Sequence, residues 1–127
     1  MIRLFALVAL GGALGSISRF GVATAMAAIV GAGFPWATLT VNIVGSFLIG
    51  LITALGLELG RLPDEVRVFL TTGVMGGLTT YSTFSLDTVR LIEAGEHLRA
   101  AGYLVGTTAL CVGACAGGLA AARAWGP

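Results

Sequence analysis

Charged residues are scarce in this chain of 127 residues: 10% are Asp, Glu, Lys or Arg, and lysine is absent altogether. An ordinary soluble domain carries about 25% charged residues. With a net charge of +1 and no basic cluster, the chain lacks the positive surface that nucleic acids require, which excludes nucleic acid as a partner. The six acidic residues are too few for an acidic tail or a calcium cage.

Side chains suited to metal binding or catalysis are also few. Cys111, Cys115 and the single His97 fall short of the four ligands of a structural zinc site. Because buried free cysteines behave as small apolar residues, we interpret both as packing residues. The chain has no His-Glu-x-x-His motif and no paired carboxylates within an apolar stretch. The sequence therefore predicts that the protein is not an enzyme.

Apolar residues make up 57% of the chain and form four segments, at about residues 4–30, 36–57, 66–92 and 98–122. Each reaches the ~20 residues that a helix needs to cross ~30 Å of hydrocarbon. Alternating polarity with a period of two is absent, which argues against an outer-membrane barrel. The sequence predicts a single domain, an all-α membrane protein with four transmembrane helices.

The first segment begins like a signal peptide but continues past Arg19 to Val30, longer than the ~7–15 apolar residues of a signal core. We therefore expect a retained helix. With four crossings, both termini lie on one side of the membrane. The arginines expected on that side are Arg3, Arg61, Arg67 and Arg123, against two or three on the other. This weak bias fits a single orientation and insertion in both directions equally well, and the latter would permit an antiparallel homodimer.

The third segment contains the most informative polar stretch. Gly76 and Gly77 weaken the helix, and hydroxyl side chains follow at nearly every position from Thr79 to Ser85. A continuous helix would direct these hydroxyls around its whole circumference, lipid side included. We predict a broken helix, whose freed carbonyls can bind a cation and whose N–H groups can face an anion. A kink solvated by neighbouring Ser and Thr side chains is the alternative.

Two polar stripes occur in other segments. Asn42 lies deep in the second segment, with Thr38 and Ser46 one turn to either side. Its amide needs partners, so Asn42 is either an inter-helix hydrogen-bonding residue or a donor facing a pore. The second stripe has a spacing of four and comprises Tyr103, Thr107 and Cys111.

Arg19 and Asp87 are charged residues within apolar segments. Arg19 can extend to the interface, bind loop carbonyls or attract anions. Asp87 can cap a half-helix or accept hydroxyl hydrogen bonds, and we interpret both residues as structural. Small-residue pairs four apart predict close helix packing, including packing against a second copy: Gly11/Gly15, Gly56/Gly60, Gly102/Gly106 and Gly113/Gly117.

Three motifs resemble the Fluc fluoride channels, also called the CrcB family. They are GGALGSISR at residues 11–19, PWATLTVNIVG at 35–45 and GGLTTYSTFS at 76–85, and the resemblance covers essentially the whole chain. It implies an antiparallel, dual-topology homodimer with two pores in the plasma (inner) membrane of a prokaryote. It further implies passive export of cytoplasmic fluoride through a multi-pass channel.

The resemblance also implies roles for particular residues. The pore phenylalanines correspond to Tyr81 and Phe84, so that Tyr81 departs from the family pattern, and Cys111 stands in place of a serine. Arg19 matches the first-helix arginine and Asp87 the acidic residue after the third motif. A structural sodium ion at the dimer interface would be held by the backbone carbonyls of Gly76 and Thr79 of both subunits. The residues expected along the pore are Thr38, Asn42, Tyr81, Ser82, Thr83, Phe84, Tyr103 and Thr107.

Fluoride is small and strongly hydrated, so its pathway must replace water with hydrogen-bond donors and with the positive edges of aromatic rings. Two other functions remain open. A small dual-topology cation or multidrug exporter would need a membrane-embedded carboxylate, whereas the first segment has Arg19 and no Glu. A helical assembly subunit would transport nothing by itself.

Overall fold

The computed structural model describes residues 1–126, and within them all regular structure is helical, as the sequence predicts. We number the helices in chain order. They are α1 (Ile2–Val30), α2 (Trp36–Thr53), α3 (Asp64–Val68), α4 (Gly76–Leu78), α5 (Tyr81–Glu93) and α6 (His97–Ala124). A π-helical segment, Ala54–Glu58, extends α2, and another, Phe69–Met75, joins α3 to α4.

Three helical stretches are long and apolar enough to cross a membrane: α1, α2 with its π-helical extension, and α6. The stretch predicted as a third crossing with a break consists of two half-helices. The first half-helix runs continuously from α3 to α4, at residues 64–78, and the second is α5. Thr79 and Thr80 between them are extended, with φ, ψ of −82°, 157° and −154°, 118°. The third segment is therefore broken.

The break lies at Thr79 and Thr80 and not at the glycine pair, because both glycines are helical. Gly77 has a packing role instead. A Cβ on Gly77 would lie 2.9 Å from the backbone nitrogen of Ser16 and would also collide with the carbonyl of Gly12. The glycine thus allows the first half-helix to approach α1, and the sequence signal for flexibility is in part a signal for packing.

Helix starts follow local chemistry. Pro35 and Pro63 immediately precede α2 and α3, where the missing N–H has no cost. Asp64 and Glu65 lie in the first turn of α3, in favourable interaction with the helix dipole. Ionic contacts between exposed side chains fix the ends of the bundle. Arg123 binds both carboxylate oxygens of Glu58 at 2.7 Å and thereby holds the end of α6 beside the end of α2.

Glycines set the helix contacts. A Cβ on Gly15 would collide with the carbonyl of Val74, so α1 lies directly on the first half-helix. A Cβ on Gly118 would likewise collide with the carbonyl of Phe47, where α6 lies on α2. Two of the predicted pairs on α6 make no close contact within residues 1–126, since nothing lies within 4 Å of a Cβ on Gly102, Gly106, Gly113 or Gly117. That face of α6 is uncovered within one chain.

The buried core is small. Its main cluster comprises Phe84, Leu91, Ala100 and Tyr103, which join α5 to α6. Many large apolar side chains remain outside, among them Phe20, which is 75% exposed on α1. An apolar surface of this extent is stable only against lipid or another apolar surface.

Candidate functional site

The helix break is held open by two side chains that replace backbone hydrogen bonds. In an unbroken helix the N–H of Thr80 would donate to the carbonyl of Gly76. Here it donates to Oδ1 of Asn42 at 2.8 Å, while Nδ2 of Asn42 donates to the carbonyl of Thr80 at 3.0 Å. Nε of Arg19 donates at 3.0 Å to the carbonyl of Gly77, which in an unbroken helix would accept from the N–H of Tyr81. Polar groups exposed by the break are thus satisfied from α1 and α2.

The second half-helix begins with a side-chain cap inside the bundle. Thr80 is the N-cap of α5, and its Oγ1 accepts a hydrogen bond from the N–H of Thr83 at 3.1 Å. Oγ1 of Thr80 also lies 3.0 Å from Oγ1 of Thr83 and 3.3 Å from Oγ of Ser82. N–H groups in the first turn of a helix carry partial positive charge, so this end of α5 favours an anion.

A cavity of about 310 Å³ lies beside the break, between α2, α5 and α6. Asn42 and Phe84 are buried at its wall. The complete lining consists of Asn42, Ser46, Thr79, Thr80, Tyr81, Phe84, Thr107, Thr108, Cys111 and Val112. Hydroxyl and amide side chains therefore contribute to the wall of a mainly apolar space next to the N-terminus of α5.

The two aromatic side chains at this cavity differ in exposure. Phe84 is 5% exposed, whereas Tyr81 is 80% exposed. Their rings meet edge to face, with centroids 5.6 Å apart. The edge of an aromatic ring carries partial positive charge, so the pair can present positive edges without a formal charge. Because Tyr81 projects from the chain, its ring is placed to contribute to a surface shared with another molecule.

Thr107 is the other buried polar residue of the cavity wall. It is 5% exposed, and its Oγ1 has no hydrogen-bond partner in the described part of the chain. A buried hydroxyl without a partner costs about 1–3 kcal/mol. A polar occupant of the cavity would remove that cost.

Asp87, Thr38 and Tyr103 form a separate cluster on the other side of Phe84. Oδ2 of Asp87 accepts hydrogen bonds from Oγ1 of Thr38 at 2.8 Å and from Oη of Tyr103 at 3.3 Å. The Tyr103 ring packs against Phe84 with centroids 5.1 Å apart and is only 2% exposed. Tyr103 therefore supports Phe84 from behind and does not line the 310 Å³ cavity. Asp87 holds α2, α5 and α6 together.

Two of the other cavities are lined in part by predicted residues. One of about 320 Å³ lies between α1 and α2 and is lined in part by Arg19, Thr38 and Thr83. Another of about 340 Å³ extends from the α1–α2 turn to Asp87 and Arg90. The residues predicted for one pore are thus divided between both sides of α5 within a single chain.

The carbonyls expected to bind sodium lie at the break. Gly76 has lost the N–H of Thr80 as a donor, and Thr79 lies outside both half-helices. In residues 1–126 no cluster of three or more His, Cys, Asp or Glu side chains can hold a metal ion. Backbone oxygens are ligands that hard cations accept, so the donor set fits such an ion, although one chain supplies only part of a coordination shell.

The structure brings together five of the predicted residues, Asn42, Thr79, Tyr81, Phe84 and Thr107, at the 310 Å³ cavity. Ser82 is exposed in the first turn of α5, and Gly76 is exposed on the first half-helix. Sequence reasoning missed the double role of Thr80, as partner of Asn42 and as cap of α5. A hydroxyl three residues before Thr83 at the start of a helix is the signal that identifies it. Thr108 was also missed, because Thr107 alone continues the stripe of four.

Comparisons with known proteins show the family to which the chain is related. Residues 6–119 match the family model described as CrcB-like protein, Camphor Resistance (CrcB). The chain is 47% identical over 116 residues to a protein of Nitrobacter winogradskyi named fluoride-specific ion channel FluC, an alignment that covers 91% of this chain and 92% of that protein. A protein of Geobacter metallireducens with the same name is 47% identical over 116 residues, covering 91% and 94%. One of Thermus thermophilus, again with that name, is 52% identical over 103 residues, covering 81% and 82%.

Proposed function

The chain belongs to the CrcB family, and on this premise we propose that it is a fluoride channel through which fluoride leaves the cytoplasm passively. Its relatives are named as ion channels, so it is a channel protein and not an enzyme. The observation that carries the proposal is the broken third segment, whose second half starts at a cavity between α2 and α6 that amide and hydroxyl side chains help to line.

The cavity offers what a fluoride ion needs when it loses water. The first turn of α5 supplies N–H groups, Phe84 and Tyr81 supply ring edges, and Thr107 has a free hydroxyl. Asn42 uses one N–H on Thr80 and retains a second. Arg19 lies on the opposite side of α5, in another cavity. A pathway of neutral donors binds an anion without trapping it.

A second copy of the chain is part of the proposal. Tyr81 is 80% exposed, and the uncovered glycines of α6 leave space for the close approach of a helix. The weak arginine bias fits both insertion directions, so we place two copies antiparallel, with one pore beside each copy of α5. Residues on the two sides of α5 in one chain would then contribute to different parts of the pathway.

A sodium ion at the dimer interface accompanies this arrangement. The carbonyls of Gly76 and Thr79 would hold it from both copies, and its charge would compensate carbonyls that no longer bond within a helix. Its contribution is to fix the break and the contact between the copies. We place the channel in the plasma (inner) membrane of a prokaryote. There an inside-negative potential favours anion efflux by about 2.3 kcal/mol per charge per 100 mV.

The test is ion release from liposomes that contain only this protein. We expect rapid release of fluoride with a potassium ionophore present, and retention of chloride in matched vesicles. Phe84→Ile provides the comparison, because it keeps an apolar side chain while removing the ring edge. Release of organic cations in exchange for protons, with fluoride retained, would contradict the channel and support an exporter. No transport of any ion would indicate an assembly subunit.

A further inference from the structure

Cys111 lies in the wall of the 310 Å³ cavity, one helical turn after Thr107. Both cysteines of the chain are free thiols, and both are half-buried. Most of the cavity wall is apolar surface, and the amide and hydroxyl residues that contribute to it are Asn42, Ser46, Thr79, Thr80, Thr107 and Thr108. The buried Thr107 hydroxyl has no hydrogen-bond partner in residues 1–126, so this part of the cavity is suited to a polar occupant such as water.

Cys115 has the same chemistry in a different place. It follows Cys111 by one turn, where the backbone of α6 lies against Gly50: a Cβ on Gly50 would collide with the carbonyl of Cys115. Cys115 does not line the cavity. The two thiols therefore lie one turn apart on the same helix, but only that of Cys111 lies at the 310 Å³ cavity.

We infer that Cys111 is a covalent modification site for small thiol-reactive molecules that enter this cavity, and that an adduct there blocks it. A thiol is modified only where a reagent can reach it, and of the two cysteines Cys111 alone lines the cavity. A group attached to Cys111 would take up space in the cavity that Phe84 and Thr107 also line. The modification claim stands on the cavity alone, whereas the blocking claim rests on the proposed function.

The reaction used as a probe is disulfide formation with an alkyl methanethiosulfonate. The thiolate sulfur of Cys111 attacks the sulfur that carries the alkyl group, an S–S bond forms, and methanesulfinate leaves with the bonding pair. The thiol proton goes to water. Excess dithiothreitol reduces the mixed disulfide and restores the thiol, at the expense of its own oxidation to a cyclic disulfide.

The first measurement is labelling of the reconstituted protein with the trimethylammonium-ethyl reagent, followed by intact mass. Cys115→Ser leaves Cys111 as the one thiol, and Cys111→Ser leaves Cys115. We expect one adduct on the former at a rate about tenfold or more above the latter, and equal labelling of both after denaturation in detergent. Fragment masses of the labelled wild-type chain locate the adduct without any substitution. Equal rates, or faster labelling of Cys115, would overturn the inference.

The second measurement is fluoride release from liposomes before and after the reagent, each variant serving as its own reference. We expect the reagent to slow release in the wild type and in Cys115→Ser, dithiothreitol to restore it, and Cys111→Ser to be insensitive. Complete labelling of Cys111 without slower release would refute the block. If no variant releases fluoride even before the reagent, the proposed function fails together with the block, and the labelling rates still decide whether Cys111 faces the cavity.

Discussion

Replacing Asn42 with alanine removes both hydrogen bonds that hold the peptide group of Thr80, at 2.8 and 3.0 Å. Side-chain hydrogen bonds within membrane proteins are worth about 0.6 kcal/mol on average and about 1.7 at most, so the pair accounts for about 1–3 kcal/mol. The freed N–H of Thr80 can return to the carbonyl of Gly76, since that is its partner in a continuous helix. Asn42→Ala therefore favours closure of the break.

The assay for Asn42→Ala is fluoride release from liposomes together with hydrogen exchange of residues 76–83. If losing the two hydrogen bonds raises the free-energy barrier to fluoride permeation by the same ~1–3 kcal/mol, fluoride release slows about 5–150-fold. Exchange at the break changes as well, because the partner of the Thr80 N–H changes. Ser46→Ala is the matched control: Ser46 lies one turn along α2, lines the same cavity and makes no side-chain hydrogen bond within residues 1–126.

Unchanged fluoride release and unchanged hydrogen exchange in Asn42→Ala would refute the reasoning, because they would mean that the break persists without the hydrogen bonds from Asn42 to Thr80. An equal loss in Ser46→Ala would refute it differently, since it would show that any truncation of the cavity wall has the same effect. Recovery of both variants with the size-exclusion profile of the wild type separates either result from misfolding.

Gly15→Ala should reduce the free energy of unfolding by about 1–3 kcal/mol and so lower the melting temperature, because the new Cβ collides with the backbone of the first half-helix. Gly12→Ala should melt like the wild type, because nothing lies within 4 Å of a Cβ on Gly12. Arg19→Gln should reduce thermal stability through the lost bond at the break, with partial recovery in Arg19→Lys; full stability in the glutamine variant would contradict that role. Tyr81→Phe should change the free energy of unfolding by no more than about 0.5 kcal/mol, because the Tyr81 side chain is 80% exposed. The variant should also retain fluoride release, because it keeps the edge of the aromatic ring. Phe84→Ile should instead slow fluoride release. Equal release rates in Tyr81→Phe and Phe84→Ile would contradict the proposal that the positive edges of the aromatic rings stabilise fluoride.

Much of the fold followed from composition and pattern. Long apolar segments with so few charges cannot be covered by a chain of this length, so lipid is their environment. The run of hydroxyls after Gly76 predicted a broken helix because those groups have no use around the full circumference of a lipid-facing rod. Both inferences depend on local chemistry, which a sequence contains directly.

Tertiary structure decided which partner each polar group takes. The sequence left Asn42 as either a bundle hydrogen-bonding residue or a pore donor; in the structure one amide binds Thr80 across helices, at the edge of the cavity. It suggested that Tyr103, Thr107 and Cys111 share a stripe, but only packing turned Tyr103 to Asp87 and left Thr107 without a partner. Spacing determines which side chains share a helix face, whereas the neighbouring helices determine what that face meets.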